Sequence, residues 1–180
     1  MDKHVIIVNG RGGVGKDTIC EFAAVYYKAR NISSIEPIVR IARFGGWDGE
    51  KTPQSRRLLS QLKAAFTEFS DLSFSYCMQQ YVEFLEGEER VLFVHIREPE
   101  EIARFRAAVG SACRTLLVRR SALEAEGPLG NRSDDSVADY EYDYYFDNDG
   151  PLDRLGASVR DFFHLVLDGE PDETVRWHFR

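Results

Sequence analysis

Cysteine is scarce in this chain. Cys20, Cys77 and Cys113 are the three among 180 residues, and their scatter excludes both a disulfide framework and a zinc-ligand spacing. Free thiols belong to a reducing compartment, so a cytoplasmic protein is expected. Long apolar runs are missing as well. Nothing approaches the ~20 residues of a membrane-spanning helix, and the opening "MDKHVIIVNG" is interrupted by glycine and arginine too early for a secretory signal. No membrane partner is expected. Positive charge is in deficit, because 23 Lys and Arg against 30 Asp and Glu leave a formal net charge of -7. That balance excludes a broad electrostatic grip on a nucleic-acid polymer, so any anionic ligand must be held by a local cluster of donors. The guanine-reading Asn-Lys-x-Asp signature is absent, which disfavours a GTPase. The run "VLFVHI" (91–96) carries His95 where a motor-type ATPase carries an acid, which disfavours that class. His95 reads as a half-buried strand residue. Internal repeats and low-complexity tracts are absent, and nothing in the sequence sets the oligomeric state.

What is present has the balance of an ordinary globular protein, with 43% hydrophobic and 29% charged residues, and the length fits a single domain over 1–180. "VIIV" (5–8) reads as a buried strand. Ile19, Phe22, Ala23 and Tyr26 fall at helical spacing, predicting a helix from Thr18 to about Arg30. "IEPIVRIARF" (35–44) reads as a strand weakened by Pro37. Leu58, Leu59, Leu62, Ala65, Phe66 and Phe69 form one helical stripe; Phe74, Cys77, Met78, Tyr81 and Leu85 form the next, stopped by Gly87. "RVLFVHI" is a buried strand, Pro99 opens a short helix, "CRTLLVRR" is a strand, and "DYYFDND" is a last strand. A final helix carries Leu152, Leu155, Val159, Phe162, Phe163 and Val166 on one face. From Asp168 to residue 180 the chain reads as a polar tail. Strands alternating with helices predict an α/β protein with a parallel sheet flanked by helices.

Between the first strand and the first helix stands "GRGGVGKDT", Gly10 to Thr18. The spacing Gly10-x-x-x-x-Gly15-Lys16 matches a phosphate-binding loop, in the position such a loop requires. The pattern takes in Gly10, Arg11, Gly12, Gly13, Val14, Gly15 and Lys16. Glycines let the backbone curl its N–H groups inward around phosphate oxygens, the helix N-terminus adds partial positive charge, and Lys16 bridges the β- and γ-phosphates. The hydroxyl that usually follows the lysine as a Mg²⁺ ligand is replaced by Asp17. Its carboxylate can take Mg²⁺ directly or through water, or it favours the positive end of the helix and no more. The Thr18 hydroxyl is left near the α-phosphate.

The loop carries a resemblance. "GKDT" after a strand is similar to the loops of nucleoside monophosphate kinases, above all the phage-type deoxynucleoside monophosphate kinases, and to those of animal phosphomevalonate kinases. "HIREPEEI" resembles the strand-Arg-x-x-x-Glu stretch of the phage-type enzymes, "LLVRR" the strand before their arginine-bearing lid, and "YYFDNDG" their last strand, with Asn148 near the adenine. The order of these pieces covers most of residues 1–166; residues 45–88 match nothing assigned. The resemblance implies a P-loop NTPase fold of the nucleotide-kinase type with a lid. It implies ATP with Mg²⁺ as phosphoryl donor and a small phosphorylated acceptor, a nucleoside or deoxynucleoside monophosphate.

Phosphoryl transfer asks a protein to position two anions and neutralise charge in transit, and arginine suits that task. Arg119 and Arg120 end a strand on its carboxyl side, where ligands of open α/β sheets bind. Adjacent strand residues face opposite sides, so one of the pair is expected to miss the site. The polar segment within 119–138 holds Arg132 and reads as a lid. Lys16, Arg119, Arg120 and Arg132 are the candidate catalytic cations. "FGGWDGEKTPQSRR" (44–57) opens a helical acceptor-binding insertion spanning about 45–88. In it Trp47 is placed to stack on a base, and Lys51 and Arg56 to meet an acceptor phosphate, joined by Arg97 beyond the strand 91–96. A kinase for a non-nucleotide phosphorylated metabolite, and a nucleotide-binding regulator with little turnover, share the same loop and stay open.

Overall fold

The computed structural model describes residues 2–125, 127, 136–169 and 174–180. β1 (His4–Asn9) runs into α1 (Lys16–Tyr26), β2 (Ala29–Ser33) and α2 (Glu36–Phe44). The helical hairpin α3 (Pro53–Ser70) and α4 (Leu72–Glu86) leads to β3 (Val91–His95), α5 (Pro99–Val109), β4 (Cys113–Arg119) and the single turn α6 (Ser121–Glu124). A 3-10 turn at Val137–Asp139, β5 (Tyr144–Asn148), α7 (Leu152–Asp168) and β6 (Val175–Phe179) complete it. The six strands lie in the order β2-β3-β1-β4-β5-β6, and every pairing is parallel.

Alternation along the strands builds two apolar layers. Ile6, Val8, Phe93, Leu116, Val118 and Phe146 face α1 and α7, meeting Ile19, Ala23, Val159, Phe162 and Phe163. Val5, Ile7, Leu92, Val94 and Leu117 face α4 and α5, meeting Cys77, Phe84, Ile102 and Phe105. β1, buried on both faces between β3 and β4, places its carboxyl end at the middle of the sheet edge, where the glycine loop begins.

Three local expectations are corrected. The first helix stops at Tyr26, and Ala29 and Arg30, expected as its end, open the strand Ala29–Ser33 that pairs with β3. Arg30 there is held by Glu83 and Glu89. The segment read as a strand over 35–44 is α2. Pro37 sits in its first turn, where a missing N–H costs nothing, and Ile38 and Ala42, four residues apart, are its buried face. The tail read as polar carries β6, whose Trp177 indole donates to the Ser158 hydroxyl at 2.7 Å and whose Phe179 is buried. The apolar stripe of α3 is covered shallowly, for Ser55 is the helix's one buried residue and Phe69 is 84% exposed. All three cysteines are free and buried. Among the described residues no helix is long and apolar enough to cross a membrane.

Candidate active site

The loop from Gly10 to Gly15 follows from constraints at both of its ends. Gly10 has φ 146 and is packed so closely under β4 that a methyl group there would overlap the Val118 carbonyl. Gly15 has φ 93, and a Cβ on it would stand 2.6 Å from Asn148 Nδ2. Only glycine accepts both the dihedral and the contact. Two asparagines brace the curve. Asn9, fully buried, accepts from the Gly10 amide at 2.8 Å and donates through Nδ2 to the Arg97 carbonyl and to the Tyr142 hydroxyl, at 3.0 and 2.8 Å. From β5, Asn148 donates to the Val14 carbonyl at 2.9 Å. Its position under the loop makes Asn148 a support of the turn.

Lys16 opens α1 and folds back, its Nζ donating to the carbonyls of Gly10 and Arg11 at 2.6 and 2.8 Å. Arg11 leaves the loop and donates to the carbonyls of Leu123 and Gly127, at 2.7 and 2.6 Å, so it ties α6 to the loop. Gly12 and Gly13 are exposed at the bend, Val14 is in the core and Thr18 lies in the first turn of α1. The Asp17 side chain is 83% exposed, with an oxygen 3.9 Å from His95 Nε2. His95 ends β3 at the register of Val8 and pairs through Nε2 with Asn31 Oδ1 at 2.8 Å. Burial lowers its pKa to about 4, against the opposing pull of Asp17.

Between pH 6.5 and about 4 the unfolded chain binds a proton at His95 that the folded chain refuses, so stability rises with pH through this window. Acidification from pH 7 to 4 is expected to remove about 3 kcal/mol through this group. Urea unfolding of wild type and His95→Gln across the same range measures it. The wild type should lose about 3 kcal/mol more than the variant as pH falls from 7 to 4, and parallel curves would show that His95 is not held neutral.

The expected arginines are distributed unevenly. Arg97 stands half-buried at the end of β3, joined to the loop through the Asn9 bond to its carbonyl. Arg119 is engaged elsewhere, with Nε and Nη2 both 2.7 Å from Asp147 Oδ1 and its guanidinium over the Tyr145 ring. By alternation from Val118 it projects to the sheet face opposite α1. Arg120 is exposed at the N-cap of α6. Arg132 lies outside the described residues, as do residues 126 and 128–135 of the lid expected over 119–138. In the acceptor region, Trp47 is half-buried and donates to the Glu50 carbonyl at 3.0 Å, so its polar atom is used within its own loop. Lys51 and Arg56 are exposed.

Sequence reasoning missed a cluster beside Arg97. Lys63, 16% exposed, reaches from α3 to Glu98 at 2.8 Å and Glu101 at 2.9 Å at the start of α5. Burial opposes the charge on Lys63, and the two carboxylates outweigh it and raise its pKa. Burial likewise works against Glu98, whose pKa Lys63 still pulls down, whereas burial leaves Glu101 raised. The signal was a lysine among Leu59, Leu62 and Phe66 on the inward stripe of α3. Among the described residues no group of three or more His, Cys, Asp or Glu is arranged to hold a metal ion.

No family model and no curated protein matches the chain. Solved structures do. TT1252 of Thermus thermophilus aligns at TM-score 0.52 and 15% identity, over 91% of this chain and 97% of its own. A candidate kinase of Chloroflexus aurantiacus aligns at TM-score 0.52 and 13% identity, over 93% and 98%. Shikimate kinase of Bacteroides thetaiotaomicron aligns at TM-score 0.49 and 18% identity, over 91% and 98%. The chain has the α/β fold of the P-loop kinases. At these identities the likeness concerns the fold alone.

Proposed function

We propose that the chain is a P-loop kinase that transfers the γ-phosphoryl group of ATP to a small phosphorylated acceptor, a nucleoside or deoxynucleoside monophosphate. The observation that carries this reading is the braced loop, with Gly10 and Gly15 in conformations that only glycine tolerates and Lys16 parked on loop carbonyls at the carboxyl edge of a parallel sheet. Such a curve offers backbone amides to phosphate oxygens. On ATP binding, Lys16 exchanges its two carbonyl partners for phosphate oxygens, and Arg97 at the neighbouring strand end faces the acceptor phosphate. Arg120 and Arg132 are the cations left to join the transferring group, with α6 and the segment after it as a lid. Arg119, neutralised by Asp147, is assigned a supporting role. No side-chain base is needed, since an acceptor phosphate is already ionised at neutral pH.

Asp17 fits a Mg²⁺ site. Its carboxylate is exposed and adjoins the loop lysine in the first turn of α1. Mg²⁺ keeps most of its water and asks for one or two carboxylates. When bound, the ion neutralises phosphate charge. Asp17→Asn is expected to raise the Mg²⁺ needed for half-maximal activity by roughly 3- to 10-fold while metal-free ATP affinity stays the same. An unchanged Mg²⁺ dependence would leave Asp17 with the helix end alone.

The deciding experiment is ADP release from ATP and Mg²⁺ with a panel of nucleoside and deoxynucleoside monophosphates beside non-nucleotide phosphorylated metabolites. Stimulation by a monophosphate is expected. Stimulation only by another phosphorylated metabolite would change the acceptor, and none with any acceptor would remove the kinase.

A further inference from the structure

A cavity of about 200 Å³ opens at the carboxyl ends of β2 and β3, where α3, α4 and α5 meet. Ser34 and Ile96 close it from the strand ends; Phe74, Cys77 and Phe105 give it apolar walls. It lies below the ~300 Å³ lower end for sites that take a drug-sized ligand, so one ring system fits and a whole nucleotide does not. At its base is Ser73, 5% exposed, whose hydroxyl is buried without a hydrogen-bond partner. Buried hydroxyls are normally satisfied, and this one belongs to a residue that lines the cavity.

The charges around the cavity decide what it accepts. Asp71, Glu100 and Glu101 line it with Arg104, which is paired with Asp71 and lies over the Phe74 ring at 3.7 Å; behind the lining, Lys63 is shared between Glu101 and Glu98, so carboxylates still outnumber cations. A phosphate placed there would meet an excess of like charge. A ring carrying hydrogen-bond donors would find acceptors in the carboxylates, a polar anchor in Ser73 and apolar contact on its faces. Ile96 lines the cavity, while its neighbours His95 and Arg97 adjoin Asp17 and Asn9 of the phosphate loop. Consecutive Cα atoms are about 3.8 Å apart, so an acceptor with its ring in the cavity has its phosphate toward Arg97 and Lys16.

We infer that the cavity anchored by Ser73 is the ring pocket of the acceptor, and that it selects a heterocycle bearing an exocyclic amine over one bearing only carbonyls. The inference rests on the kinase reading for the identity of the acceptor. It assigns selectivity to Ser73 and the acidic rim, and leaves the Trp47 loop outside the ring site.

Calorimetric titration without ATP tests it, with cytidine, adenosine, guanosine, thymidine and inorganic phosphate as probes. At least one amine-bearing nucleoside should bind about tenfold or more tighter than thymidine, and phosphate should not compete with it. Ser73→Leu, which fills the cavity, should weaken that nucleoside at least about tenfold and leave ATP affinity within about twofold. Ser73→Ala, which folds if the larger side chain does not, should weaken it about threefold or more. Thymidine preference, phosphate competition, or nucleoside affinity unchanged in both variants overturns the pocket. The kinase reading fails separately. If no acceptor stimulates ADP release while Ser73→Leu still abolishes nucleoside binding, the pocket stands and the phosphoryl transfer falls.

Discussion

Lys16→Ala is expected to lower kcat/KM for ATP-dependent transfer by about 10²- to 10³-fold, the loss that follows removal of one preorganised charge from a transition state. The fold should survive. Lys16 is half-buried and donates to the carbonyls of Gly10 and Arg11, which water can reach once the ammonium is gone. A net loss of about 1–2 kcal/mol in urea unfolding is the scale for such charge-assisted bonds. The split between binding and turnover is the informative part. Lysine meets the β- and γ-phosphates in the ground state and more strongly as charge moves, so ATP affinity should fall by a smaller factor than kcat. Lys16→Arg keeps the charge but not the compact point geometry, and should recover little of the rate. Wild-type turnover in the alanine variant, with folding intact, would remove the loop from the chemistry.

The parts of this molecule that were legible in its sequence are those set by neighbours in the chain. Gly10-x-x-x-x-Gly15-Lys16 is a local device, and its flanking strand and helix are written in adjacent residues, so loop, β1 and α1 were readable together. β3 and β4 were readable for the same reason, as apolar runs, and β5 as an aromatic strand whose burial alternates. The failures came where a distant partner decides. Ala29–Ser33 has the sequence "ARNIS", with no alternation to mark it, and is a strand because β3 offers an open edge. Val175–Phe179 alternates, yet five residues at the end of a polar tail carried less weight than the tail's composition. Helix α2 is hard to read from sequence because Pro37 fits a weakened strand and a first helical turn equally well.

The candidate site divides along the same line. Lys16 and Asp17 were identified from the motif. Arg119 was singled out by its place at a strand end, but its neutralisation depends on Asp147, twenty-eight positions away along the chain and adjacent in the sheet. Ser73 gave no sequence signal, since it becomes informative only when residues 34, 67–77 and 96–105 close around it. Lys63 did give one, because a lysine on an apolar stripe requires buried anions, and "REPEE" supplied them.

The second large effect is expected at Gly10. Gly10→Ala combines two costs that can be measured apart. A non-glycine residue at φ 146 is strained, with a backbone penalty of about 1–2 kcal/mol taken from the left-handed region. The added methyl also overlaps the Val118 carbonyl of β4 in a close-packed layer, and forced repacking there costs about 1–3 kcal/mol more. The sum, roughly 2–5 kcal/mol, should appear as a lower urea midpoint with an unchanged slope. Gly46→Ala supplies the control, because Gly46 has φ 98 but nothing lies within 4 Å of a Cβ there. It should show the backbone cost alone, about 1–2 kcal/mol, and wild-type ATP affinity. Gly10→Ala should lose ATP affinity as well, since the methyl can be relieved only by moving the first residue of the loop, on which the Asn9 and Lys16 bonds depend. Equal losses of stability in the two variants, with ATP affinity unchanged in both, would mean that the contact with β4 does not shape the loop.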